Sequence, residues 1–298
     1  MALGEPSRLH APLPRGRDGA TVALHPMICA EMATPPEFMA MSDGRFRAVR
    51  SMFSNRADWP KVPIVAFLIE HPSVGRILVD TGFHPSVAVN PKENLGPFFG
   101  RLYKIEMRPE QAIPAQLRAR GIDPREIEIV IMTHLHLDHA SAISEFTESV
   151  YVLGQHEWAA VQAPRPTFSG YVRRHVRHAV DYREVVYSDR SVDSYSTFGR
   201  SFDLFGDGSI RLVYTPGHSQ GHQSVIVRLK DREALLTGDA TYFLRTLDDE
   251  RRGIAMADEH NWHRSLREVQ LYRRENPDAL IIPGHDPEIW AGLEPTYA

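Results

Sequence analysis

The sequence predicts a layered α/β domain, and three observations carry that expectation. Short apolar runs rich in β-branched residues recur along the chain. Segments with helical spacing lie between some of them. The chain has 298 residues, enough to bury a large core as one long mixed domain or as two. Strands interleaved with helices favour sheets whose faces are covered by helices.

The strand candidates are 21–29, 62–69, 76–80, 127–133, 150–153, 210–215, 224–229, 234–237 and 279–283. Helical patterns occupy 109–120, stopped by Gly121, then 155–162 and 259–275, the longest. Residues 1–20 carry prolines, glycines and arginines throughout and read as a loosely packed arm, followed by one domain over 21–298. Three segments read as irregular excursions: 34–60, 90–108 and 163–182. The first holds Met39, Phe46, Met52 and Phe53, which fit either a lid lining a substrate pocket or plain packing and a homodimer contact.

Composition narrows the function. Hydrophobic residues make up 42% and charged residues 24%, as in ordinary globular proteins. The net charge is -4 with no basic stripe, which argues against nucleic acid as a partner. No stretch reaches 18 uninterrupted apolar residues, so no membrane partner is expected, and the absence of an apolar signal region makes the cytoplasm the default location. Cys29 is the single cysteine, so neither an internal disulfide nor a cysteine-rich metal site can form.

The strongest signal is Thr133-His134-Leu135-His136-Leu137-Asp138-His139, directly after an apolar run. Three imidazoles and a carboxylate at the end of a buried strand would be costly without a cation. His134 and His136 point the same way while the chain is extended, and the following turn can aim Asp138 and His139 elsewhere, so one segment can serve two metals. Further donors follow later strands: His218 in Thr215-Pro216-Gly217-His218, Asp239 in Thr237-Gly238-Asp239, and His285 in Pro283-Gly284-His285. His175, His178, His260 and His263 fall on helical patterns and read as solvated.

The series His134, His136, Asp138, His139, His218, Asp239 and His285 resembles the metallo-β-lactamase superfamily, over about residues 21–290. The resemblance implies an αββα sandwich of two mixed sheets flanked by helices. It implies two divalent metal ions per chain, zinc first, with cobalt, manganese and iron as alternatives. His134, His136 and His218 would hold one ion, Asp138, His139 and His285 the other, and Asp239 would bridge them. Asp80, in Asp80-Thr81-Gly82, matches a family aspartate that orients a ligand, and His222 takes a supporting place behind the ligands. True β-lactamases of this fold use a cysteine near the second metal, and Cys29 lies too early for that.

The stretches 214–224 and 235–242 are similar to N-acyl-homoserine lactonases, the quorum-quenching branch of the superfamily. Tyr242, three residues after Asp239, falls where such lactonases place a tyrosine against the substrate carbonyl. The implied activity is hydrolysis of a small lactone by a hydroxide bridging a dinuclear metal centre, with Asp138 passing a proton to the leaving oxygen. Hydrolysis of another lactone, ester or thioester stands as the alternative. A di-iron oxidoreductase is less favoured, because HxHxDH is intact and the chain has no room for a flavin module.

Overall fold

Alternation along the strands decides the architecture. In the strand Ile127–Ile131, Ile129 and Ile131 join one apolar cluster, while Val130 and the following Met132 join another. The same split recurs at Ile77/Val79 against Leu78, and at Val225/Val227 against Ile226. Each sheet therefore buries both faces. The computed structural model describes residues 5–41, 44–178 and 181–298.

In chain order the strands of the first sheet are β1 (Ser7–Arg8), β2 (Ala23–Ala33), β3 (Lys61–His71), β4 (Gly75–Val79), β5 (Lys104–Glu106), β6 (Ile127–Ile131), β7 (Val150–Gly154) and β8 (Asp181–Val185). They are ordered β1-β8-β7-β6-β4-β3-β2-β5. The second sheet contains β9 (Asp193–Tyr195), β10 (Phe198–Asp203), β11 (Ile210–Tyr214), β12 (Gln223–Arg228), β13 (Glu233–Gly238) and β14 (Leu280–Pro283), ordered β14-β13-β12-β11-β10-β9. Both are mixed: β6 pairs in parallel with β4 and β7, β2 runs antiparallel to β3, and β14 is the parallel neighbour of an otherwise antiparallel second sheet.

One cluster lies between the sheets, with Phe67, Ile131 and Val152 from one side and Leu212, Val225 and Ile282 from the other. A second lies outside the first sheet, under Ile113, Leu117, Trp158 and Val161. A third lies outside the second sheet, under Trp262, Leu266, Val269 and Tyr272. The last four share one stripe of the helix Glu259–Glu275, started by Asp258, whose side chain accepts from the Asn261 N–H. The layers are helix, sheet, sheet, helix, the sandwich that the resemblance implies.

Several sequence expectations shift. Residues 5–20 do not form a loose arm: Leu9 and Leu13 enter the inter-sheet cluster, and β1 pairs in parallel with β8. Isolated leucines among prolines carry no period, so their burial is invisible in the sequence. The helix at 109–120 is split into a 3-10 turn Pro109–Gln111 and a helix Ile113–Ala119, because Pro114 lacks an N–H and is accommodated only in a first turn. The segment 90–108 is ordered, with a helix Pro91–Leu102 kinked at Gly96 and Pro97, then β5. In 34–60 the structure forms a helix Gly44–Ser51, and residues 42 and 43 lie outside the described residues. His175 is buried, its Nε2 donating to the Asn94 carbonyl at 3.1 Å, rather than solvated. Among the described residues, no helix is long and apolar enough to cross a membrane.

Candidate metal centre

The seven side chains singled out in the sequence converge at the same end of both sheets. His134 follows β6, and the short helix Leu137–Ala140 turns Asp138 and His139 back beside it. His218 follows β11, Asp239 follows β13 and His285 follows β14. Gly217 sits at φ 141°, and a Cβ there would come 2.3 Å from the Cα of Trp262. The His218 loop thus fits against the long helix only because residue 217 has no side chain.

The donors form three overlapping trios, each with its ligand atoms within 4.8 Å of one another: His134, His136 and His218; His134, His139 and Asp239; and Asp138, His139 and His285. His218 Nε2 lies 2.8 Å from His136 Nδ1 and 3.2 Å from His134 Nε2. Asp239 stands between the outer trios, its Oδ2 3.3 Å from His218 Nε2 and its Oδ1 3.1 Å from His285 Nε2. All seven are buried.

The imidazoles are held from behind, which fixes the nitrogen that faces inward. His139 Nδ1 donates to Asp80 Oδ2 at 2.7 Å, His285 Nδ1 to the Pro63 carbonyl at 2.8 Å, and His218 Nδ1 faces the Ala255 carbonyl at 3.2 Å. Thr133 Oγ1 donates to Asp80 Oδ2 and so accepts from His134 Nδ1 at 3.1 Å. Such outer partners set the tautomer of a metal-binding histidine. Asp80 also accepts from the Thr133 N–H, and it does so from a left-handed backbone, φ 58°. His222 has both nitrogens engaged: Nε2 accepts from the Asp239 N–H at 3.0 Å, and Nδ1 donates to Thr215 Oγ1 at 2.9 Å. It has none left for an ion.

The inward-facing atoms lack partners. His139 Nε2, His285 Nε2 and Asp239 Oδ1 are buried without a hydrogen bond, although both nitrogens lie 3.1–3.3 Å from that oxygen. Burial pushes the His134 pKa well below its ordinary value, and those of His136 and His218 down to about 3, with neighbouring imidazoles adding to the effect. Burial opposes charge on His139 and His285, but Asp239 and Asp138 together, joined by Asp80 at His139, outweigh it, and both are raised. Asp239 is held well below the carboxylate range by His285, His139 and His218, against burial. Neutral His134, His136 and His218 and an ionised Asp239 are donor states that a divalent cation requires, and a cation would take the place of the protons that the surrounding carboxylates favour on His139 and His285, so the residues fit such ions.

A cavity opens on the cluster. His136, Asp138, His218, Asp239 and Tyr242 line its polar floor, and Met32, Phe38, Met39, Leu137 and Tyr103 line its walls. Of the four apolar residues expected to line a pocket, Met39 does so. Phe46 and Phe53 are 84% and 86% exposed, and Met52 is half-buried away from the cavity lining. Phe46 lies in the helix Gly44–Ser51 and Met52 and Phe53 in the turn after it, and nothing in their spacing tells which way they point.

Sequence reasoning missed Glu157. Its buried carboxylate accepts from the Leu135 N–H at 2.9 Å, the Gly221 N–H at 3.0 Å, the Tyr171 hydroxyl at 3.3 Å and the Ser219 hydroxyl. It thereby ties the loop of His134 and His136 to the loop of His218. An acid in a helix's first turn reads as a response to the helix dipole, so the sequence offers no signal for this role.

The model of the metallo-beta-lactamase superfamily matches residues 59–285. This chain belongs to the metallo-beta-lactamase superfamily. Relatives within that superfamily include N-acyl homoserine lactonase AttM of Azorhizobium caulinodans, 32% identical over 244 residues, with 80% of this chain and 88% of the relative covered. N-acyl homoserine lactonase AiiA of Bacillus thuringiensis subsp. kurstaki is 28% identical, covering 76% and 82%. The metallo-beta-lactamase fold is matched by a crystal structure of a B. thuringiensis AiiA variant with N-decanoyl-L-homoserine bound at the active site. It has a TM-score of 0.74 and 22% identity, over 96% of this chain and 100% of that one. AidC, a dizinc quorum-quenching lactonase in complex with a product, superposes with a TM-score of 0.63 at 11% identity, over 92% and 90%.

Proposed function

We propose that this chain is a metal-dependent hydrolase that opens the lactone ring of N-acyl-homoserine lactones. The observation that carries the reading is the buried cluster whose inward atoms His139 Nε2, His285 Nε2 and Asp239 Oδ1 have no partner, set at the floor of a largely apolar cavity. The lactonase relatives supply the substrate class.

In this reading His134, His136 and His218 would hold one ion and Asp138, His139 and His285 the other, with Asp239 available to both. Zinc is the ion we favour, since imidazole and carboxylate donors suit it. Two such ions would polarise the ring carbonyl and make water a nucleophile at neutral pH.

The chain's own groups do the rest. Tyr242 is buried and its pKa is raised, first by burial and then by Asp239 and Asp138, so it keeps its proton. Its hydroxyl donates to the carbonyl oxygen as negative charge develops there. Asp138, on the cavity floor, takes up the proton that the attacking water gives up and passes it to the ring oxygen as the C–O bond breaks. The apolar wall around Met32, Met39 and Leu137 takes the acyl chain and excludes water from it.

The test is ring opening of homoserine lactones of several chain lengths, followed by proton release, before and after chelation. Activity that disappears on chelation and returns with zinc, cobalt or manganese is expected. Activity that survives in metal-free protein ends the reading. If γ-butyrolactone, aryl esters or a thioester are cleaved instead, the metal chemistry stands and the substrate assignment falls.

A further inference from the structure

Tyr103 ends the helix Pro91–Leu102, where its N–H donates to the Phe99 carbonyl. Its ring stacks on Phe99, with centroids 6.0 Å apart and planes 8° from parallel, and meets Phe38 edge-on at 6.5 Å. These contacts fix the ring, and the residue lines the cavity over the metal cluster. Its hydroxyl makes no hydrogen bond to any described residue, and the side chain is half-buried, so this donor is open to whatever enters the cavity. Burial first, and the charge of Asp138 second, raise its pKa, so it remains a protonated donor within reach of that carboxylate's field.

We infer that the Tyr103 hydroxyl donates to the amide carbonyl of the substrate and so sets selectivity for N-acylated lactones. The inference rests on the reading under Proposed function. An N-acyl-homoserine lactone carries two carbonyl oxygens, with the amide carbon three bonds from the ring carbonyl carbon. The ring carbonyl must approach the cluster and Tyr242. The amide carbonyl then enters a cavity whose walls are mainly Met32, Phe38, Met39 and Leu137, where an acceptor without a partner is penalised. Beyond the cluster, the polar side chains on the lining are Thr34, Tyr103 and Tyr242. Tyr242 is committed to the reacting centre beside His218, and Tyr103 presents an unused donor on the Asp138 side.

The experiment is a selectivity ratio. kcat/KM for N-hexanoyl-homoserine lactone is divided by kcat/KM for γ-decalactone, which has the ring and an alkyl tail but no amide. It is measured for the metal-loaded wild type, Y103F and T34V. In Y103F the ratio should fall about tenfold, the worth of one neutral hydrogen bond. Tyr103→Phe removes an atom that bonds to nothing in the fold, so a purely structural effect would lower both rates together and leave the ratio alone. That result overturns the inference, as does a fall in T34V in place of Y103F. A wild type that opens no N-acyl-homoserine lactone overturns the substrate reading and this inference with it.

Discussion

The hydroxyl of Tyr242 lies 3.0 Å from Nδ1 of His218, whose Nε2 faces His134 and His136. With Nε2 committed inward, Nδ1 carries the proton and shares it between the Ala255 carbonyl and the phenol oxygen, so the phenol accepts and its own hydrogen stays free to point into the cavity. A group on the cluster thus orients the donor that the carbonyl would meet. Tyr242→Phe should keep metal content and lower kcat about a hundredfold, the usual cost of one oxyanion donor. An unchanged kcat would remove Tyr242 from the chemistry.

Gly253 bears on the same ring. A Cβ at that position would stand 2.5 Å from Cε2 of Tyr242. Gly253→Ala should push the phenol out of line, lowering kcat at least tenfold while the metal content measured by emission spectrometry stays at the wild-type level. If kcat is retained, the loop yields rather than the ring.

Glu157→Gln tests the tie between the two histidine loops. The carboxylate accepts four hydrogen bonds, and an amide presents donors where half of those acceptors were. The loss should be about 2–4 kcal/mol of unfolding free energy, with weaker retention of metal under competing chelator. Wild-type stability and wild-type metal retention together would refute the tie.

Asp80→Asn separates charge from conformation. Asparagine tolerates the left-handed backbone at φ 58°, so the turn should survive. The negative charge behind His139 is lost, and zinc affinity should drop about 10- to 100-fold by competition titration. Equal affinity would mean that position, not charge, is what Asp80 supplies.

A pH dependence follows from a pair far from the cluster. His71 Nε2 lies 3.3 Å from Asp207 Oδ2 and 3.0 Å from Ser209 Oγ, while its Nδ1 accepts from the N–H groups of Ser73 and Val74. Burial lowers the His71 pKa from 6.5, against the pull of Asp207. A protonated Nδ1 would also forfeit two backbone donors. Below about pH 6.5 the unfolded chain takes up a proton that the folded histidine refuses, so stability must fall as pH drops from there. The slope of melting temperature against pH between 7 and 5 should be shallower in His71→Gln than in wild type. Parallel slopes would show that His71 contributes nothing to acid sensitivity.

What the sequence made legible is what repeats or what is chemically expensive. The stripe of Trp262, Leu266 and Val269 and the alternation at Ile129 and Ile131 are periodic, and both were readable. The run His134 to His139 was readable because such groups are costly to bury without purpose. Edge strands were not: Lys104–Glu106 and Asp193–Tyr195 are short, polar and half-exposed, and gain their pairing from neighbours. Nor were Glu157 and Tyr103, whose roles come from partners 14 to 64 residues away or from a cavity that exists only once the chain has closed.

The two sheets are also consecutive in the chain. Everything from Ser7 to Val185 builds one, and everything from Asp193 to Pro283 builds the other. His134, His136, Asp138 and His139 come from the former, and His218, Asp239 and His285 from the latter. A single peptide cut between Val185 and Asp193 would therefore leave two fragments, each owning a whole sheet and neither owning a whole ion cage. Rejoining them would restore every donor set at once, so cations would act as a rivet for the severed molecule, and chelator would pull it apart.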